Sequence, residues 1–198
     1  MGRTSYHHGD LRAALIAGAV ELVREQGLEG WTLRGVARKV GVSHAAPYHH
    51  FKDVEGLLGA VTALGFDRMT EALSAAAGAA PPEPRARLAA LGRAYLAFGA
   101  ANPGLYQVMF REVRSEDQGS PEGRDAGSRT LHLFVAEAAD ALPDAPDPIA
   151  VVLPAWATLH GFVSLAVLGP LPRMGLVEAP EEQIRESMVE AALRTMGL

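Results

Sequence analysis

Cysteine is absent from all 198 residues, which excludes disulfides, thiolate zinc sites and cysteine nucleophiles. Its absence fits a reducing compartment, and the expected location is the cytoplasm. Lysine is scarce as well: two stand against sixteen arginines, a bias that fits a GC-rich genome and says nothing of function. Residues Met1 to Asp10 are polar and lack the apolar stretch of a signal peptide. No strand alternation and no internal repeat stand out. The signatures of common catalysts are missing too: there is no Gly-x-Ser-x-Gly elbow, no Gly-x4-Gly-Lys phosphate loop, no His-Glu-x-x-His, and no helix that presents paired carboxylates inward. An enzyme is therefore not expected, and neither a cofactor nor a metal is implied.

What remains is a chain that is 48% hydrophobic, ample for a core, with an uneven charge. The net charge is −5. Residues 1–52 hold seven basic side chains (Arg3, Arg12, Arg24, Arg34, Arg38, Lys39, Lys52) and four acids, a balance of +3, which leaves −8 for the rest. Five of the seven histidines also lie there. A basic head on an acidic body suits a protein that meets phosphate with one end, although a solvated surface can be uneven by chance.

The pattern is helical throughout. Leu11, Leu15, Ala19, Leu22 and Val23 recur at helical spacing behind Asp10, a candidate N-cap, with Gly18 inside the run and Gly27 ending it. After the turn Gly27-Leu28-Glu29-Gly30, Thr32 caps a short helix with Leu33, Val36, Ala37 and Val40 on its buried side. Gly41 breaks it, and Ser43 caps a further helix to about His50. A long helix then runs from Val54 to about Ala77. Ala79 to Pro84, with three prolines, is a connector. Further helices are expected over Arg85–Ala101, Tyr106–Val113, Leu131–Leu142, Ile149–Leu168 and Glu181–Met196, with Arg114–Arg129 as a loop rich in Gly, Ser and acids.

Ile149 to Pro172 carries no formal charge, enough to raise a membrane span. Pro154, Thr158, His160, Ser164 and Pro170 interrupt it. Ile149, Leu153, Trp156, His160, Val163 and Val167 form one apolar face, and Val152, Ala155, Leu159, Phe162 and Ala166 a second. A helix apolar on two faces is buried on both, here against its own core and a partner subunit. No membrane is expected.

Thr32 to Phe51 has the layout of a helix-turn-helix, in which the first helix braces and the second enters the major groove with its N-terminal residues toward base edges. Val36, Ala37, Val40 and Val42 are small or β-branched and let the two helices cross closely. Ser43, His44, Ala45, Ala46 and His49 are short or polar, as groove-facing positions need. Tyr48 and His50 can reach phosphates or bases. Amides at the helix starts near Thr32, Ser43 and Asp53 can hold phosphate oxygens.

The run Tyr6-His7-His8-Gly9-Asp10-Leu11-Arg12, then Gly27, Thr32-Leu33-Arg34-Gly35-Val36-Ala37, Gly41-Val42-Ser43 and Tyr48-His49-His50-Phe51-Lys52 resembles the tetracycline-repressor-like (TetR) family of bacterial regulators. The resemblance covers the first third of the chain. It implies an all-α fold: a three-helix DNA-binding head at 1–53 and a helical ligand-binding and dimerising body at 54–198. It also implies a homodimer through Ile149–Leu168 and Glu181–Met196. The function implied is a ligand-responsive repressor on a near-palindromic operator. Trp156-Ala157-Thr158-Leu159-His160-Gly161 resembles a subgroup with a C-terminal Trp followed by His-Gly. The DNA-contact candidates are Thr32, Arg34, Ser43, His44, Ala45, Ala46, Tyr48, His49, His50 and Lys52. Where many members carry a basic residue just after the recognition helix, Val54 stands here, with Lys52 as the substitute. Pro47 falls inside that helix.

Within the body an unidentified small apolar ligand is expected, lined by Met69, Tyr95, Phe98, Tyr106, Met109, Phe110, Phe134, Trp156 and His160. Each of these is also readable as plain core, His160 included. His7-His8 and His49-His50 do not make metal sites, since adjacent helical residues diverge by about 100°. The competing reading is a helical small-molecule binder or enzyme without DNA activity. A helical adaptor is a third, and it leaves the histidine-rich segment without a purpose.

Overall fold

The computed structural model describes residues 8–28, 31–111, 120–169 and 182–198, with only the backbone of 8–10. Every regular element among them is helical: α1 His8–Gln26, α2 Leu33–Val40, a short 3-10 helix Ala46–His49, α3 Val54–Ala79, α4 Pro84–Ala101, α5 Pro103–Met109, α6 Pro121–Ala141, α7 Pro148–Val163 with a π turn Ser164–Leu168, and α8 Glu182–Thr195. The all-α expectation holds. Tyr6, His7, Glu29, Gly30, Glu112, Val113, Pro170 and Glu181 lie outside the described residues.

Two compact units divide the chain: Met1–Gly65 with Gly104–Ala126, and Phe66–Pro103 with Gly127–Leu198. In the first, α1 buries Leu15, Ile16, Ala19, Leu22 and Val23 and packs on α2, which buries Leu33, Val36 and Ala37. Gly18, which breaks the apolar periodicity, is where the two helices touch. A Cβ there would stand 2.5 Å from Cγ2 of Val40. Gly104 opens α5 against the Val23 carbonyl in the same way, at 3.2 Å. Gly27, at φ +71, ends α1 by donating its N–H to the Val23 carbonyl at 2.8 Å.

Several expected boundaries move. Asp10 is not an N-cap, because α1 has already begun at His8; an acid in the first turn is favoured by the helix dipole instead. The helix expected from Tyr106 to Val113 runs Pro103–Met109, with a proline at its first position as the fixed φ prefers. The expected loop Arg114–Arg129 is helical from Pro121 on. Its polar and glycine-rich composition has local causes. Ser120 Oγ accepts the Gly123 N–H at 3.0 Å as a cap. Gly123 and Gly127 then let α6 approach Thr62 and Phe66, where an added Cβ would stand 3.1 and 3.4 Å from those side chains. These are packing glycines.

In the second unit α7 and α8 pack on each other and on α4. Gly92 and Gly99, two turns apart on α4, allow this approach: a Cβ at 99 would stand 2.6 Å from Val163, and one at 92 would stand 3.4 Å from Val189. Asp147 Oδ1 caps α7 by accepting the Ile149 N–H at 3.0 Å. Of the two apolar faces expected on α7, the one with Val152, Ala155, Leu159 and Ala166 is internal. On the other Val163 is buried too, but Ile149 is 41% exposed and Leu153 43%. Leu165, in the π turn and on neither expected face, is 52% exposed.

Candidate functional site

The first unit builds its site from α2 outward. Thr32 caps α2, its Oγ1 accepting the Gly35 N–H at 3.0 Å. Gly41 ends the helix at φ +78, a left-handed conformation that other residues adopt at a cost of about 1 kcal/mol. The Val42 N–H then returns to the Ala37 carbonyl at 3.0 Å and turns the chain sharply. Beyond this turn, the α-helix expected from Ser43 does not form. Ser43 makes no side-chain cap; its carbonyl accepts the Ala46 N–H, and the segment Ala46–His49 is 3-10. The cause is Pro47. An α-helix here needs the amide of residue 47 to bond the Ser43 carbonyl, and proline has no N–H to give. The bonds that form instead are Tyr48 N to Ala45 O at 3.2 Å and His50 N to Pro47 O at 3.0 Å.

Proline also anchors the segment. Pro47 and Phe51 are buried, while Ser43, His44, Ala45, His49 and Lys52 are exposed and Tyr48 is 55% exposed. Ala46 and His50 are half-buried, and Thr32 and Arg34 at the start of α2 are exposed. Above Phe51, the Arg12 guanidinium sits 5.5 Å from the ring centroid and pairs with Glu122 at 3.4 Å. Phe51 belongs to the motif that carries the resemblance and Pro47 stands out inside the expected helix, but nothing in the sequence beyond apolarity marks either as a buried anchor. Nor does the sequence pattern single out Arg38, though it follows Arg34 by one helical turn and is exposed with no ion partner among the described residues. Lys39 is occupied: it bonds Glu25 at 2.7 Å, which holds its pKa above the ordinary lysine value and that of Glu25 below the ordinary carboxylate value. Two of the amides expected to hold phosphate are likewise taken, Gly35 by Thr32 and Gly56 by Asp53 at 2.9 Å.

The candidate ligand residues divide between the units. Tyr106, Met109 and Phe110 belong to the first, where the Tyr106 and Phe110 rings meet at a tilt of 44° with centroids 4.6 Å apart. Met69, Tyr95, Phe98, Phe134, Trp156 and His160 belong to the second. Tyr95 is its polar centre. Trp156 Nε1 donates to Tyr95 Oη at 3.1 Å, and Oη lies 3.1 Å from His160 Nδ1. Tyr95 also meets Phe134 edge-on at 6.2 Å. Indole can only donate, so the shared hydroxyl accepts from Trp156 and suits an unprotonated Nδ1 on His160. Burial pushes the His160 pKa below the ordinary value of 6.5, in keeping with a neutral ring. Leu88, Phe134, Val152, Trp156, Leu159 and Met196 line a cavity of about 20 Å³, room for about one water.

The outward face of α7 is long and apolar. Pro148–Leu168 has the length and composition to cross a membrane, and 28% of its most apolar stretch is buried within the chain.

Comparison with known proteins gives these features a family. Residues 15–61 match the model for bacterial regulatory proteins of the tetR family, and residues 88–192 match that for the tetracyclin repressor-like C-terminal domain. A solved protein of unknown function from Rhodococcus sp. RHA1 is 33% identical, with a TM-score of 0.78 over 98% of this chain and 97% of that one. An uncharacterised HTH-type transcriptional regulator of Mycobacterium tuberculosis is 26% identical over 80% of this chain and 71% of its own. The class C tetracycline repressor of Escherichia coli is 44% identical over 50 residues, 25% of this chain and 23% of that protein. With a helix-turn-helix head and a helical C-terminal part, each matched by its own family model, the chain belongs to the tetR family of bacterial transcriptional regulators.

Proposed function

We propose that this regulator is a cytoplasmic homodimeric repressor that binds a near-palindromic operator and changes its operator affinity when a small apolar molecule enters the body. The DNA-contact residues are Thr32, Arg34, Ser43, His44, Ala45, Ala46, Tyr48, His49, His50 and Lys52, with Arg38 added as a phosphate contact. The single observation that carries the reading is the division of one short segment: Pro47 and Phe51 are buried while Tyr48, His49 and their polar neighbours face outward. A segment held by two apolar side chains and presenting hydroxyl and imidazole groups has no use for that polarity in a core. It has the donors and acceptors that base edges and phosphates require.

The partner for the outward face of α7 is a second copy of the chain. Ile149 and Leu153 are large, apolar and exposed one turn apart on α7, with Leu165 exposed in the π turn that follows, and burying them removes apolar area from water at about 25 cal/mol per Å². A two-fold dimer places one recognition segment at each half-site, so the operator repeats with the protein's symmetry. On this reading the head at 1–53 is the DNA-binding part and 54–198 the ligand-binding and dimerising part. The role is regulatory rather than catalytic. Titrating a labelled duplex from the protein's own upstream region tests the reading. Saturable binding by a dimer, competed by the same unlabelled duplex and not by an unrelated one, is expected. A monomer that binds both duplexes alike refutes it.

A further inference from the structure

The segment that follows the turn at Gly41 is wound three residues to the turn. The Ala46 N–H bonds the Ser43 carbonyl at 3.0 Å, the Tyr48 N–H that of Ala45 at 3.2 Å, and the His50 N–H that of Pro47 at 3.0 Å. In such a winding the side chains at i and i+3 eclipse, so the segment presents three lines of side chains. One line, Pro47 and His50, is turned inward: Pro47 is buried and His50 half-buried. A second, Ala46 and His49, is half-buried at its first member and exposed at the other. The third, Ala45 and Tyr48, is exposed at both. Pro47 sets this register, since it anchors the inward line and removes the bond that α-winding needs.

The outward line orders its chemistry along the chain. Tyr48 stands about 6 Å beyond Ala45, three residues at a rise of about 2.0 Å each. The N-terminal residues of a recognition element face base edges, so Ala45 leads into the groove and the Tyr48 hydroxyl follows toward the rim. Of the six exposed side chains between Ser43 and Lys52, that of Ala45 alone has no polar atom. It offers a methyl group, with nothing to donate or accept. The major-groove edges of the base pairs carry donors, acceptors and one apolar group, the C5-methyl of thymine. Set against a donor or an acceptor, the alanine takes that group out of water and returns no bond, which is unfavourable. Set against the thymine methyl, it buries apolar surface on both sides.

We propose that Ala45 reads the C5-methyl group of one thymine in each half-site, and so fixes an A·T pair at that position of the operator. The inference rests on the reading of this segment as the operator-binding element, and it names one of the bases that element selects.

The probe is the labelled duplex from the protein's own upstream region, made again with deoxyuridine in place of one thymine at a time. This exchange removes the methyl and leaves every donor and acceptor of the base. Each duplex is titrated with the full chain. One thymine in each half-site is expected to matter, its replacement weakening binding about fourfold, which corresponds to about 0.8 kcal/mol for one buried methyl. Ala45→Gly is expected to weaken binding of the thymine duplex by the same factor and to bind the deoxyuridine duplex as wild type does. Tyr48→Ala, which lowers affinity through a different group, keeps the fourfold response. If no thymine methyl affects the affinity of the wild type, the proposal is overturned, and Ala45 is small only to let the backbone approach. A response that survives unchanged in Ala45→Gly overturns it as well and gives the methyl to another side chain. A chain that binds none of the duplexes refutes the operator reading and this inference with it. Specific binding that is indifferent to deoxyuridine refutes the inference alone.

Discussion

Gly18 of α1 lies so close to Val40 of α2 that an added Cβ would stand 2.5 Å from Cγ2, well inside contact distance. Gly18→Ala is therefore expected to destabilise. Alanine favours the helix by about 1 kcal/mol, but forcing a methyl into a packed contact costs about 1–3 kcal/mol, and the contact wins. Urea denaturation measures the difference. A variant more stable than wild type contradicts the packing described.

This glycine also shows which parts of the fold were legible in the sequence. Leu15, Ala19, Leu22 and Val23 announced α1 by their spacing, and Thr32 and Gly41 announced both ends of α2, because caps and periodicity are local properties. Gly18, Gly123 and Gly127 were opaque. Each is small because another helix passes close by, and no single-chain pattern says which helix that is. The loop expected over Arg114–Arg129 was misplaced for that reason. Pro47 was legible as an anomaly, but its consequence, a 3-10 turn in place of an α-helix, depended on which amide bond it removed. The ion pair between Arg87 on α4 and Glu137 on α6 was invisible, since its partners are 50 residues apart.

In the head, Tyr48→Ala and His49→Ala are each expected to weaken operator binding by about 1–3 kcal/mol per site. Both side chains are exposed, so the unfolding midpoint should stay where it is. Affinity by fluorescence anisotropy, paired with denaturation, separates the two effects. Loss of stability in step with loss of affinity would place these side chains in the fold and not at the DNA.

Tyr95→Phe removes the oxygen shared by Trp156 and His160 while keeping the ring that meets Phe134. Taking one hydrogen bond from each of two half-buried polar groups costs about 1–3 kcal/mol. Chemical denaturation of the variant reads it. A cost indistinguishable from zero would mean that the two bonds contribute nothing to the second unit.

His160 gives the second unit a pH dependence. Burial lowers its pKa in the folded state below the ordinary 6.5, so in the window beneath that value the unfolded chain binds more protons. Its contribution to stability is complete above about pH 6.5 and declines as the pH falls through the window down to the folded-state value. His160→Gln should remove this component and flatten the dependence. Thermal melts of both proteins between about pH 7.5 and about pH 5.5 provide the test, and identical slopes would contradict it.

The most direct test of the account is the stoichiometry and specificity of operator binding. A labelled duplex from the upstream region is titrated with the full chain at fixed salt, by anisotropy and by light scattering together. The account predicts two protomers on each site, a clear preference over an unrelated duplex of equal length, and weakening with added salt that reflects the several phosphates reached by Arg34, Arg38 and Lys52. Equal affinity for both duplexes, or a monomer bound to each, would contradict it.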